Sequence, residues 1–258
     1  MRTKLYDPFL PVRVEKLLLP GGVESSRSCV IVDTEDGNQL EAGYITSGYE
    51  LVPNHQVVEV AKQIMESTNL GNTEPLRLMF DGKKFRASYA LNEEYGITDV
   101  PDVGDIIPTL DLVNSYDGST RFGFQINAQE LVCSNGMMVS HFLGDYTFRH
   151  DNGSGFLLDE AGEQLQRILN GGAFDRLGMK LVRMLEQEFT ASQIAAVLVN
   201  IADVCKLGDA TIGRVVKKLE GETKWELYRA FTNVFSHEHG FAPIRANRKV
   251  SRYFLDAA

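Results

Sequence analysis

A change of period restricts the fold more than any other feature of this chain. Up to about residue 150, apolar and polar residues alternate in short runs closed by turn clusters. Beyond Asp151-Asn152-Gly153-Ser154-Gly155 the apolar positions recur every three or four residues. A period of two buries one face of a strand and a period near 3.6 buries one stripe of a helix, and neither pattern substitutes for the other. The chain is therefore predicted to be α+β: an antiparallel hairpin-rich sheet with one early helix in residues 1–150, then a helical part in 151–258, the two integrated as one domain. At 258 residues a single continuous core is feasible.

Turn clusters set the strand boundaries. Segments 28–33 and 39–46 flank Asp36-Gly37-Asn38, 76–80 and 84–91 flank Asp81-Gly82-Lys83, and 106–116 and 120–127 flank Asp117-Gly118-Ser119. Segments 130–133 and 137–142 flank Ser134-Asn135-Gly136, with the last strand reaching towards Phe148. After Pro53, Asn54 is placed to cap a helix whose apolar face is Val57, Val58, Ala61, Ile64 and Met65, ending near Asn69. Residues 92–105 carry Glu93, Glu94, Asp99, Asp102 and Asp105 around Pro101 and read as an exposed acidic loop. Helices are expected over 159–169, 174–189, 192–206, 211–219, 223–235 and 246–255.

Charge and cysteine content narrow the function classes. Hydrophobic residues are 43% and charged residues 24%, an ordinary globular balance. The net charge of −9 comes entirely from the first 150 residues, where 12 Lys/Arg face 21 Asp/Glu, while 151–258 hold 14 of each. That excludes a generally basic surface coating nucleic acid but leaves room for a local basic groove. Cys29, Cys133 and Cys205 are odd in number and have no CxxC spacing, so neither a disulfide framework nor a zinc site is indicated. No run approaches the roughly 18 apolar residues of a membrane span, and the first ten residues lack a leader pattern, so a cytoplasmic protein is expected.

Most motifs that could carry chemistry have a plainer reading. His237-Glu238-His239 lacks the i,i+4 spacing that puts two imidazoles on one helical face. The acidic segment lacks the order of a calcium loop, and the glycine pairs Gly21-Gly22 and Gly153-Ser154-Gly155 do not extend into phosphate-binding loops. Cys133 with His141 or His150 has no third group to orient a nucleophile. What remains is electropositive. Lys83, Lys84 and Arg86 interleave with Phe80, Phe85 and Tyr89, and Arg245, Arg248, Lys249 and Arg252 lead into Tyr253 and Phe254. Cations beside aromatic rings suit single strands, since each stacked base contributes about 1–3 kcal/mol. The plainer readings are a polar hairpin tip and an amphipathic last helix.

Several phrases together carry a resemblance: Tyr49-Glu50-Leu51-Val52-Pro53-Asn54, Ser115-Tyr116-Asp117-Gly118-Ser119, Leu131-Val132-Cys133-Ser134-Asn135-Gly136-Met137, Arg149-His150, and Trp225-Glu226-Leu227-Tyr228-Arg229-Ala230-Phe231-Thr232. In order and spacing, over roughly residues 25–240, the chain resembles the phage/plasmid-like family built on domain of unknown function 932. The resemblance implies a phage, plasmid or prophage context without a biochemistry. Where similar sequences carry a basic residue three before the cysteine, this chain has Glu130, which lowers any phosphate-contact role for that strand. Arg149 and His150 suit either a phosphate, with the guanidinium as a planar fork and the imidazole as second donor, or a lock between sheet and helices.

The expected function is non-enzymatic: single-stranded DNA binding, with annealing by a homo-oligomer, through Lys83, Lys84, Arg86, Arg121, Arg149 and His150, and without cofactor, metal or membrane. The alternative is a protein-interaction factor whose acidic first half engages a basic host protein in the bacterial cytoplasm.

Overall fold

The computed structural model describes residues 4–92, 94, 97–100, 104–133, 137–150, 158–236 and 241–256. Three strands, β1 (Val12–Leu18), β2 (Glu24–Asp33) and β3 (Gln39–Thr46), form an antiparallel sheet in that order. Helix α1 (Asn54–Thr68) follows and ends on Asn69, whose left-handed φ of 51° closes the last turn. A second sheet holds β4 (Arg77–Phe80), β5 (Lys84–Ala90), β6 (Ile97–Val100), β7 (Gly104–Ser115), β8 (Phe122–Cys133) and β9 (Met137–Phe148). Its order is β4-β5-β7-β8-β9, with β6 pairing beside β7. The second half is helical: α2 (Leu158–Asn170), α3 (Ala173–Glu186), α4 (Ala191–Cys205), α5 (Asp209–Lys218), α6 (Lys224–Ser236) and α7 (Phe241–Asp256).

The predicted class and the order of hairpins and helices are those of the structure. Four details differ. Strand β1 is an extra partner for β2, carried by the Val12/Val14 alternation that the turn-cluster reading passed over. The acidic segment is not wholly a loop, because Ile97 pairs with Ile106 and Val100 with Gly104. Backbone pairing is indifferent to the charge of the side chains it carries. Strand β8 runs unbroken where two shorter strands were expected, and α7 starts at Phe241 because Pro243 is tolerated in a first turn that needs no N–H there.

Asn54 does not cap α1. Pro53 takes the cap position without a side-chain bond, and Asn54 is turned inward as the first helical residue. Its backbone N–H donates to Tyr116 Oη at 3.1 Å and its Nδ2 donates to the Pro8 carbonyl at 2.9 Å. Asn114 Nδ2 donates both to Asn54 Oδ1 at 3.0 Å and to the Val52 carbonyl at 2.8 Å. Asn54 and Asn114 are both fully buried, so these bonds form in a medium where an unmet polar group is expensive.

The chain divides into two compact units. One comprises Met1–Asn92, Thr109–Ile126 and Gly144–Arg167; the other comprises Glu93–Pro108, Asn127–Leu143 and Ile168–Ala258. In the first, both faces of β5 and the adjoining part of β7 are buried: Phe85, Ala87, Tyr89, Leu110 and Leu112 on one side, Arg86, Ser88, Thr109 and Asp111 on the other. In the second, α6 is the central helix. Trp225, Leu227, Tyr228 and Phe231 are fully buried, and it packs against α3, α5 and α7. Helix α4 begins with a capping box in which Thr190 Oγ1 accepts from Gln193 N while the Gln193 side chain accepts from Thr190 N.

Two stability predictions come from these cores. Asn114→Ala leaves the Val52 carbonyl and Asn54 Oδ1 without their donor, and is expected to lower unfolding free energy by about 2–3 kcal/mol in urea titrations. Lys224 is only 7% exposed, begins α6 at the positive end of its dipole, and its ammonium has no hydrogen-bond acceptor among the described residues. Burial, then Lys180, push its pKa down. Desolvating a lysine stem and head against a helix N-terminus and a second lysine destabilises the fold, so Lys224→Met is expected to raise the melting temperature, with a gain on the order of 1 kcal/mol.

Candidate functional site

Three segments of the first unit converge. The first is the loop after β3, where Tyr49 N donates to the Thr46 carbonyl at 3.0 Å to close a turn. The Tyr49 hydroxyl donates to the Ser115 carbonyl, and burial, reinforced by Asp117, raises its pKa. The second is the turn between β7 and β8. Ser115 Oγ donates to the Thr120 carbonyl at 2.8 Å and accepts from Thr120 N at 3.0 Å, while Asp117 Oδ1 accepts from Ser119 N at 2.9 Å. Gly118 has φ +70° and faces the Tyr49 ring at van der Waals distance, so the turn requires a residue free to adopt the left-handed region. Gly43 of β3 meets Asp117 so closely that a Cβ there would lie 2.6 Å from the Asp117 Cβ.

The third segment follows β9. Glu50 N donates to the His150 carbonyl at 3.1 Å, and His150 Nδ1 lies 3.2 Å from the Glu50 carbonyl. A carbonyl oxygen only accepts, so Nδ1 carries a proton. The imidazole stacks on Tyr49 with centroids 4.7 Å apart and planes 16° apart, and Phe122 closes on it at 6.5 Å. Burial lowers the His150 pKa, opposed by the backbone groups of Glu50 and Thr120. The ring therefore ties the loop after β3 to the segment after β9.

Together the segments line an open concavity of about 420 Å³. Thr46, Gly48 and Tyr49 line it from the first, Gly118, Thr120 and Arg121 from the second, and Arg149 and His150 from the third. Both arginines are exposed, and Arg121 has no ion-pair or hydrogen-bond partner among the described residues. Two arginines, two threonines and two glycines around a concavity are residue types that suit an oxyanion such as phosphate. The volume is within the roughly 300–1,000 Å³ of small-ligand sites.

The structure thus brings together Arg121, Arg149 and His150 of the residues singled out in the sequence. Lys83 and Lys84 stand apart at the β4–β5 turn, where the N–H of each donates to Asp81 Oδ1. The Tyr116 N–H donates to the Lys83 carbonyl at 2.7 Å and ties that tip to the turn that leads to Arg121. Arg86 does not belong to a surface: it is 7% exposed and ion-paired inside the sheet with Asp111, which is fully buried. Phe80, Phe85 and Tyr89 are likewise interior, so they offer no faces to bases. In the last helix, Phe254 is buried against Tyr228 and Phe231, as the amphipathic reading has it.

Cys29 and Cys205 are buried thiols with pKa values raised by burial. The side chains of Cys133 and His141, and residues 237–240 with His237 and His239, lie outside the described residues. Among the described residues no three His, Cys, Asp or Glu side chains cluster as metal ligands, and no helix is long and apolar enough to cross a membrane. The residues missed from the sequence are Thr46, Gly48, Tyr49, Gly118 and Thr120. Tyr49 and Gly118 lay in the familiar phrases, but nothing local marked them as neighbours of Arg149.

Fold and site define an α+β protein of antiparallel sheets and a helical second half, with a cationic cavity on its sheet-bearing first unit. The chain belongs to the DUF932 family, a domain of unknown function, which it matches over residues 42–254. Comparison with curated proteins and with solved structures gives no match. Three of the phrases that carry the resemblance contribute Tyr49, Gly118, Arg149 and His150 to the lining.

Because the folded pKa of His150 lies below its unfolded value, the unfolded chain binds more protons between the two. The contribution is fully present above about pH 6.5 and is lost as pH falls through the folded value. His150→Phe keeps the ring against Tyr49 but cannot titrate. Melting curves from pH 8 to 5 should fall more steeply for the wild type than for this variant.

Proposed function

We propose that this chain binds single-stranded DNA without turning it over, holding backbone phosphate in the cavity between Arg121 and Arg149, as part of phage- or plasmid-linked replication or recombination. The observation that carries the reading is the convergence of two arginines from distant segments on one concavity floored by a stacked Tyr49–His150 pair. The surrounding unit is acidic, so the attraction is local and short-ranged, and at physiological salt it acts only within about 8 Å. Such a surface discriminates against uniform coating of duplex and favours a strand flexible enough to bring one phosphate into the concavity. Lys83, next to the same turn, supplies a secondary contact for the flanking backbone. Arg86 has no part in it.

Fluorescence anisotropy with an end-labelled single-stranded oligonucleotide tests the reading. Arg121→Ala with Arg149→Ala should weaken binding at least tenfold and reduce the slope of log affinity against log salt by about 1.4, two contacts at roughly 0.7 each. Lys83→Glu should have a smaller effect, and Arg86→Met none on affinity once folding is verified. Unchanged affinity in the double arginine variant would remove the cavity from the interface. Absence of binding by the wild type at low salt would favour the acidic first half as a surface for a basic protein.

A further inference from the structure

We propose that the chain forms a two-fold dimer through β1, which pairs antiparallel with β1 of a second copy about Val14 and joins the two three-stranded sheets into one. Strand β1 is the edge of its sheet. Backbone geometry shows which groups that edge presents. Asp33 N donates to the Pro11 carbonyl at 3.0 Å and Leu19 N donates to the Val23 carbonyl at 2.8 Å. Odd-numbered residues of β1 therefore address β2. The alternation of an antiparallel ladder leaves the N–H and C=O of Val12, Val14, Lys16 and Leu18 directed off the outer side, where no described strand pairs with them.

The surface is also apolar for an edge. Val14 is 45% exposed, and at the far end of the hairpin Leu18 and Val23 are 67% and 62% exposed. An unpaired, partly apolar edge is a template for another strand.

Charge complementarity favours a second copy as the occupant and the register that pairs Arg13 with Glu15. A symmetric antiparallel pair places one residue opposite itself. Centring on Arg13, Glu15 or Lys16 sets like charges face to face, which is unfavourable. Centring on Val14 sets valine against valine, and Arg13 opposite Glu15 on both sides of the axis. Arg13 already holds Glu15 at 2.8 Å and is ion-paired with Asp33 in its own copy, so the dimer extends an existing cluster. Strands β1 and β2 precede the matched family segment at 42–254, and no β1 residue lines the concavity.

Size-exclusion chromatography with light scattering on the full chain, over a range of concentrations, tests the proposal. The wild type should be a dimer that dissociates on dilution. Val14→Pro removes only an N–H that points away from β2, an edge position where proline is tolerated. That variant should be monomeric with an unchanged circular dichroism spectrum and melting temperature. Arg13→Glu alone and Glu15→Arg alone should each weaken the dimer at least tenfold, and an equimolar mixture of the two should restore it as a heterodimer, since each strand then meets its opposite charge. A wild type that stays monomeric at every concentration overturns the proposal. So does a dimer that survives Val14→Pro and both charge variants.

Discussion

The Asn114 carboxamide is the contact on which the concavity-bearing unit of the molecule depends. Its two N–H groups hold the Val52 carbonyl and Asn54 Oδ1, so one buried side chain on β7 fixes where α1 begins and where the preceding loop ends. Tyr116, two residues on, takes the Asn54 N–H, and burial pushes its phenol up to about 12, which keeps it neutral. With Val52 and Asn54 pinned, the loop has little freedom. Tyr49 lands on Ser115 and His150, and the cavity takes its shape. The polar network supplies specificity of position, because an apolar replacement would bury as well but would not set this register.

Charge in this molecule acts at two depths. Arg86 and Asp111 are an interior pair in a sheet buried on both faces, where each satisfies a charge that would otherwise be stranded. Arg121 and Arg149 sit in the open at the ends of strands, where turns replace the ladder and side chains from separate segments can meet. Net charge of −9 says nothing about either arrangement. It averages over a surface, whereas recognition of a phosphate needs only a few donors within a Debye length.

Much of the architecture was legible along the chain. Turn clusters such as Asp81-Gly82-Lys83 and Asp117-Gly118-Ser119 mark the hairpins because only residues tolerant of positive φ close so tightly, and Gly82 and Gly118 do take φ of +89° and +70°. The helical half was legible for the same local reason. Less legible were β6, whose pairing comes from a neighbour and not from its own composition, and the sidedness of β5. A period of two says that Arg86 and Phe85 face opposite ways; it does not say that both ways lead into a core. For the site, Arg149-His150 stood out as a phrase, while its role depended on Tyr49, a hundred residues earlier.

The sequence by itself determined the class of fold, the hairpin and helix order, the family and the presence of isolated cations in an acidic background. These are local or additive properties, set by backbone preference and periodicity. Tertiary structure alone decided which cations are surface and which are core, that the half-buried His150 stacks on Tyr49, and that three separated segments share one concavity. Those outcomes hinge on long-range contacts, Asn114 to Asn54, Tyr49 to Ser115 and Glu50 to His150, whose partners have no signature until the chain closes around them.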